Sequence, residues 1–352
     1  NAATEFDVGP LTWVKSEIDL ALERADLALG QYAAGSAAGT GDLTQIKFCR
    51  THLHQVQGAL TIVGLDGVTQ FSEALEALLE AIEQEKCSAD VASIELIRRS
   101  LAVIGHYLND LVSGQPNQPL RLLSLYRELQ IARGLKSVSA TDLFFPDLSA
   151  RPPRREASAR KLAPAELQVL LRQGRAQFQR GFLAWLRAPN DRSGVKEMLA
   201  AVRRIEASQQ ASSARTFWWI TGGFLSALAE GAVRDEIIVK QVCARIDLQI
   251  RRLLEGSKNV AERLMRDVLY FVANADSSNN DAVLSVRDTY QLQSLIPTIE
   301  TVAPAPEETV RRKLRDVISA TEEAWSKCCT GTMQALPLFK ENANVLSAVV
   351  DQ

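Results

Sequence analysis

Side chains that carry chemistry on their own are scarce in this sequence. Its 352 residues include only His52, His54 and His106, and the five cysteines Cys49, Cys87, Cys243, Cys328 and Cys329. The cysteine number is odd and no C-x-x-C pair occurs, which argues against a disulfide framework and a zinc finger. No histidine sits in a Cys, Asp or Glu constellation at ligand spacing, so no metal site is expected. The pattern fits a reducing cytosol in which the cysteines pack. No run approaches eighteen consecutive apolar residues, and the N-terminus has neither a basic nor an apolar signal region, so neither a membrane span nor a signal peptide is expected.

An excess of one charge is also missing. Acidic residues number 42 and basic residues 40, too even for a nucleic-acid footprint or a polybasic membrane patch. Protein partners are the expectation. A Gly-rich nucleotide loop is absent: "TGG" at 221–223 falls inside a helical pattern and lacks phosphate-loop spacing. The chain alone should therefore bind no ATP, hold no cofactor and be non-catalytic by itself.

What remains is helix. Leucine, alanine, glutamate, glutamine and arginine dominate, and asparagine-glycine hairpin signals are missing, so the fold class is all-α. Val14, Ile18, Ala21 and Ala25 mark a first helix, and Ile46, Cys49, Leu53, Val56, Leu60 and Val63 a second. Val68 to Ile82 marks a third, and Ile94 to Leu111 a fourth, which Ser88 or Asp90 can cap. Short loops force antiparallel neighbours. Residues 1–136 therefore read as a four-helix bundle with a fifth helix at about 119–134.

The proline- and arginine-rich 137–163 reads as a linker, and 164–352 as a second all-helical domain. Pro164 suits the first turn of its first helix, and a last long helix is expected at about 307–336. A shift of 165 residues lays "RTHLHQVQGAL" (50–60) on "RTFWWITGGFL" (215–225), pairing Arg50 with Arg215, Thr51 with Thr216, Gly58 with Gly223 and Leu60 with Leu225. His54 then falls on Trp219. The second domain thus reads as a degenerate repeat of the first. Phe217 and Trp218 read as core, and Trp219 as a candidate partner-binding residue.

At roughly 100° per residue, the apolar stripe of the second helix sets a core direction from which His54 points about 130° away. His54 should face solvent, and His52 should sit at the edge of the stripe. Gly58 follows one turn later on the exposed face, where a mid-helix glycine costs about 1 kcal/mol against alanine. Close approach of another surface would repay it.

An exposed histidine on a four-helix bundle, with glycine four and ten residues later, resembles the histidine phosphotransfer (HPt) domain, whose pattern is H-x-x-K-G. His54, Gly58 and Gly64 match, and Gln57 stands where the family has lysine. "LTWVKSEID", "FCRTHLHQVQGAL", "TDLFFPDLS" and "RTFWWITGGFL" together resemble the N-terminal region of the PilL/ChpA-type chemosensory histidine kinases of type IV pili and twitching motility. They also resemble the related FimL scaffold family.

The resemblance implies a cytoplasmic bacterial signalling module, recruited to the cell pole. Its partners would be response-regulator receiver domains, a kinase domain of the same or another protein, and polar pilus proteins. It makes His54 the candidate phosphoacceptor, since a neutral imidazole is a competent nucleophile and phosphoryl transfer asks mainly for positioning and charge stabilisation. Gly58 would provide room. Gln57 can donate hydrogen bonds but cannot neutralise charge, and Arg50, one turn earlier, would replace the missing cation. The alternative is a non-catalytic, HPt-derived scaffold that holds response regulators or pilus proteins.

Overall fold

The computed structural model describes residues 7–37, 42–154, 162–277 and 279–298, together with Ala320. Among these, eleven α-helices and three short 3-10 turns form, and no strand does. The fold class is all-α. The expected helix at 307–336 and the pair Cys328-Cys329 lie outside the described residues, as does 155–161 of the expected linker. The described residues up to Pro297 make one compact unit.

Five helices build the first layer of packing: α1 (Gly9–Ala37), α2 (Thr44–Val63), α3 (Asp66–Glu83), α4 (Val91–Val112) and α5 (Leu123–Ala132). Each turns its apolar stripe inward, and α2 buries Ile46, Cys49, Leu53, Val56 and Leu60 along one line. Helix ends follow local chemistry. Of the two candidates for capping α4 it is Asp90 that acts, accepting a hydrogen bond from the Ser93 amide at 2.8 Å. Gly64 closes α2 in the left-handed region, at φ 78°, which an L side chain would resist. α1 packs on α2 and α4, α2 on α3, and α3 on α4, closing a four-helix ring. α5 lies against α3 and α4, and a 3-10 turn, Pro119–Leu122, leads into it.

The second cluster holds α6 (Pro164–Arg187), α7 (Ser193–Ser208), α8 (Ser212–Ala229), α9 (Ile237–Leu254), α10 (Glu262–Ala273) and α11 (Asp281–Tyr290). α6 packs on α7 and α9, and α7 on α8, which match three of the four contacts that close the α1 to α4 ring. α10 then sits against both α8 and α9, and α11 against α8. The 165-residue repeat register is therefore displaced by one helix. By its neighbours α2 corresponds to α7, whereas the matched segment lies in α8, the counterpart of α3. His54 and Trp219 do not occupy equivalent places.

The stretch from Ser139 to Pro153 was expected to be a linker, yet it is wedged between the two clusters. Phe144, Pro146 and Pro152 are buried, and Phe144 meets Tyr270 edge-on with centroids 5.5 Å apart. The apolar "LFF" run, together with the buried Pro146 and Pro152, sets its behaviour, because leaving the run in water would forfeit roughly 1.5–3 kcal/mol per large side chain.

Candidate functional site

The α2 surface beside α3 carries the residues singled out in the sequence. His54 is exposed, 75% for its side chain, and its Nδ1 lies 3.2 Å from Glu76 Oε1 on α3. With the proton on Nδ1, the imidazole donates to this carboxylate and Nε2 turns its lone pair outward. Arg50, one turn earlier, places Nε 2.9 Å from Glu83 Oε2, about two turns further along the same face of α3. Its charge is therefore taken up by a neighbouring carboxylate. Gln57 does not share the open face: it is buried to 8% exposure, with Nε2 lacking a hydrogen-bond partner. An amide held inward in this way cannot replace the family's lysine beside an imidazole. His52 lies at the stripe edge, its Nδ1 3.4 Å from Gln55 Oε1, and His106 is exposed on α4.

Gly58 stands on open surface. A Cβ built there meets nothing within 4 Å, so nothing inside the molecule demands glycine. Its sequence counterpart differs. At Gly223 a Cβ would come within 3.0 Å of Val286 Cγ2 and 3.2 Å of the Ala282 carbonyl, so α11 approaches that glycine closely. Phe217 and Trp218 are buried, as the sequence suggests, with rings 5.0 Å apart. Trp219 is half-buried against the second core.

Sequence reasoning missed Glu76 and Glu83, the carboxylates that face His54 and Arg50. The signal was present: Glu73, Glu76, Glu80 and Glu83 recur at three- and four-residue steps through "FSEALEALLEAIE", a continuous acidic ridge along α3. The consequence is chemical. A phosphoryl group on Nε2 would bring a charge near −2 to a surface whose nearest ionic neighbours are one carboxylate and one neutralised arginine.

Residues 163–303 match the family model described as the second domain of the FimL scaffold protein. Across both clusters, 288 residues are 24% identical to the scaffold protein FimL of Pseudomonas aeruginosa, covering 82% of this chain and 50% of that protein. The chain is similar to a FimL scaffold. It spans about half the length of that relative. No solved structure matches it. Among the described residues no helix is long and apolar enough to cross a membrane.

Proposed function

We propose that this chain is a non-catalytic scaffold whose HPt-derived bundle uses the α2 surface around His54 and Gly58 to hold a response-regulator receiver domain. The observation that carries this reading is the similarity to the FimL scaffold along both helical clusters. The electrostatics of the surface supports it, because Arg50 is paired with Glu83, Gln57 is buried and Glu76 stands beside the imidazole. A shape that once served phosphotransfer suits binding without transfer, since docking needs the exposed helix and the glycine gap but not a free cation. The chain acts in the cytoplasm, as FimL-type and PilL/ChpA-type proteins imply, and brings receivers together with polar pilus proteins. Trp219 belongs to the second cluster and contributes there to a separate contact.

Titration calorimetry with purified receiver domains of the type IV pilus pathway tests this. His54→Ala should change receiver affinity by less than about threefold, while Gly58→Trp, which fills the open face, should weaken it at least tenfold. Loss of binding in His54→Ala equal to that in Gly58→Trp would mean that the imidazole itself is the recognised group. Unaltered binding in Gly58→Trp would place the receiver elsewhere.

A further inference from the structure

The two helical clusters carry opposite charge. From Asp7 to Asp142 the sequence has 17 acidic and 11 basic residues, and from Phe144 to Thr298 it has 16 acidic and 23 basic. The near-neutral total hides this polarity.

The first helix of each cluster also leaves an apolar row uncovered. On α1, Trp13, Leu20 and Leu27 are exposed, Trp13 at 85%. On α6, the exposed residues Val169, Ala176 and Leu183 recur at the same interval. Seven residues make two turns at 3.5 residues per turn, the spacing of a helix-helix seam. Each row places one apolar side chain every two turns on a single face, with polar residues between them, a regularity that scattered exposed leucines lack.

The flanks of the two rows differ in sign. Exposed Glu17 and Glu23 border the α1 row, with Arg24 the exposed cation between Trp13 and Leu27. Exposed Arg172, Arg180 and Arg187 border the α6 row, and α6 has no acidic residue between Leu167 and Arg187. Pairing α6 with α6 would set arginines against arginines, and pairing α1 with α1 would set Glu17 and Glu23 against their own copies. Both arrangements are penalised by like charge, and the mixed one is favoured.

We propose that α1 of one copy packs along α6 of a second copy, row against row and acidic flank against basic flank. Formed once between two copies, rather than twice about a two-fold axis, such a contact is heterologous. It leaves α6 of the first copy and α1 of the second uncovered, so assembly continues beyond the dimer to a ring or a filament. A scaffold assembled this way would present its α2 surface many times over, which raises the effective concentration of bound receivers. The proposal stands independently of what the α2 surface binds.

Sedimentation velocity on the full chain tests it at low and high salt. Two variants are needed, one with Leu20→Asp and Leu27→Asp on α1 and one with Arg180→Glu and Leu183→Asp on α6. All four positions are at the surface, and unchanged circular dichroism and melting temperature establish that each variant is folded. The parent should grow beyond dimer with concentration and associate at least tenfold more weakly at high salt. Each variant alone should stay monomeric, and an equimolar mixture should form a dimer, because one intact α1 then meets one intact α6. A parent that is monomeric throughout, a variant that dimerises alone, or a mixture that forms no dimer would overturn the proposal.

Discussion

Gly58 is the residue whose identity packing does not explain. Because a Cβ there meets nothing within 4 Å, Gly58→Ala should stabilise the fold by up to about 1 kcal/mol through helix propensity. A urea midpoint that rises on this substitution would show that the fold itself does not need glycine here. Gly67 behaves in the opposite way: a Cβ there would come within 2.2 Å of Pro119 Cγ. Gly67→Ala should therefore cost about 1–3 kcal/mol by overpacking, seen as a lower midpoint. The buried thiols make a third prediction at this scale. Burial, and secondarily the negative charge of Asp26, pushes the Cys49 thiol up to about 12, and burial with Asp235 raises Cys243 further. An unfolded thiol ionises near 8.5, so above that pH the unfolded chain has lost a proton that the native chain keeps. Stability must then fall as pH rises, by about 1.4 kcal/mol per pH unit for each such thiol. Urea unfolding should show this slope growing in from about pH 8 and nearly complete by about pH 10, and Cys49→Ala with Cys243→Ala should flatten it.

Among the elements, α6 and α7 approach most closely through two glycines. A Cβ on Gly181 would come within 2.4 Å of the Gly194 carbonyl, and a Cβ on Gly194 equally close to the Gly181 carbonyl. Either Gly→Ala change should force the helices apart and lower the melting temperature by several degrees, which differential scanning calorimetry reads directly. Much of this layer was legible beforehand. The α2 stripe predicted which way His54 faces, because helical period alone converts spacing into direction. Gln57 at the edge of that stripe was open to the same reasoning, and the family motif drew attention away from it. Glu76 and Glu83 could not be paired with His54 and Arg50 from one helix alone, since the pairing depends on how α3 lies against α2. The repeat misled for a related reason. Identities such as Gly58 and Gly223 register local spacing, whereas the place of a helix in a bundle is set by its neighbours, and the two glycines answer different needs.

At the scale of the molecule, the two clusters are joined by polar contacts as well as by Phe144. Buried Asp267 accepts from Thr141 Oγ1 and from Arg245, and Arg263 bridges Asp267 and Asp142. Gln118 on the first cluster donates to the Ser294 carbonyl at 2.7 Å. Asp267→Ala removes the shared acceptor and leaves the buried Thr141 hydroxyl without it, so a loss of about 1–3 kcal/mol is expected. Limited proteolysis should then cut faster between residues 137 and 163 than in the parent. A rigid junction is what a scaffold requires, because two binding surfaces hold two partners in a fixed relation only if the body between them does not bend.

The central claim, that the α2 surface binds without transferring phosphate, is tested most directly with a PilL/ChpA-type kinase core, labelled ATP and Mg²⁺. The account predicts no acid-labile phosphate on the parent chain above that on His54→Ala. Acid-labile phosphate that appears on the parent, disappears in His54→Ala and moves on to a receiver would contradict it.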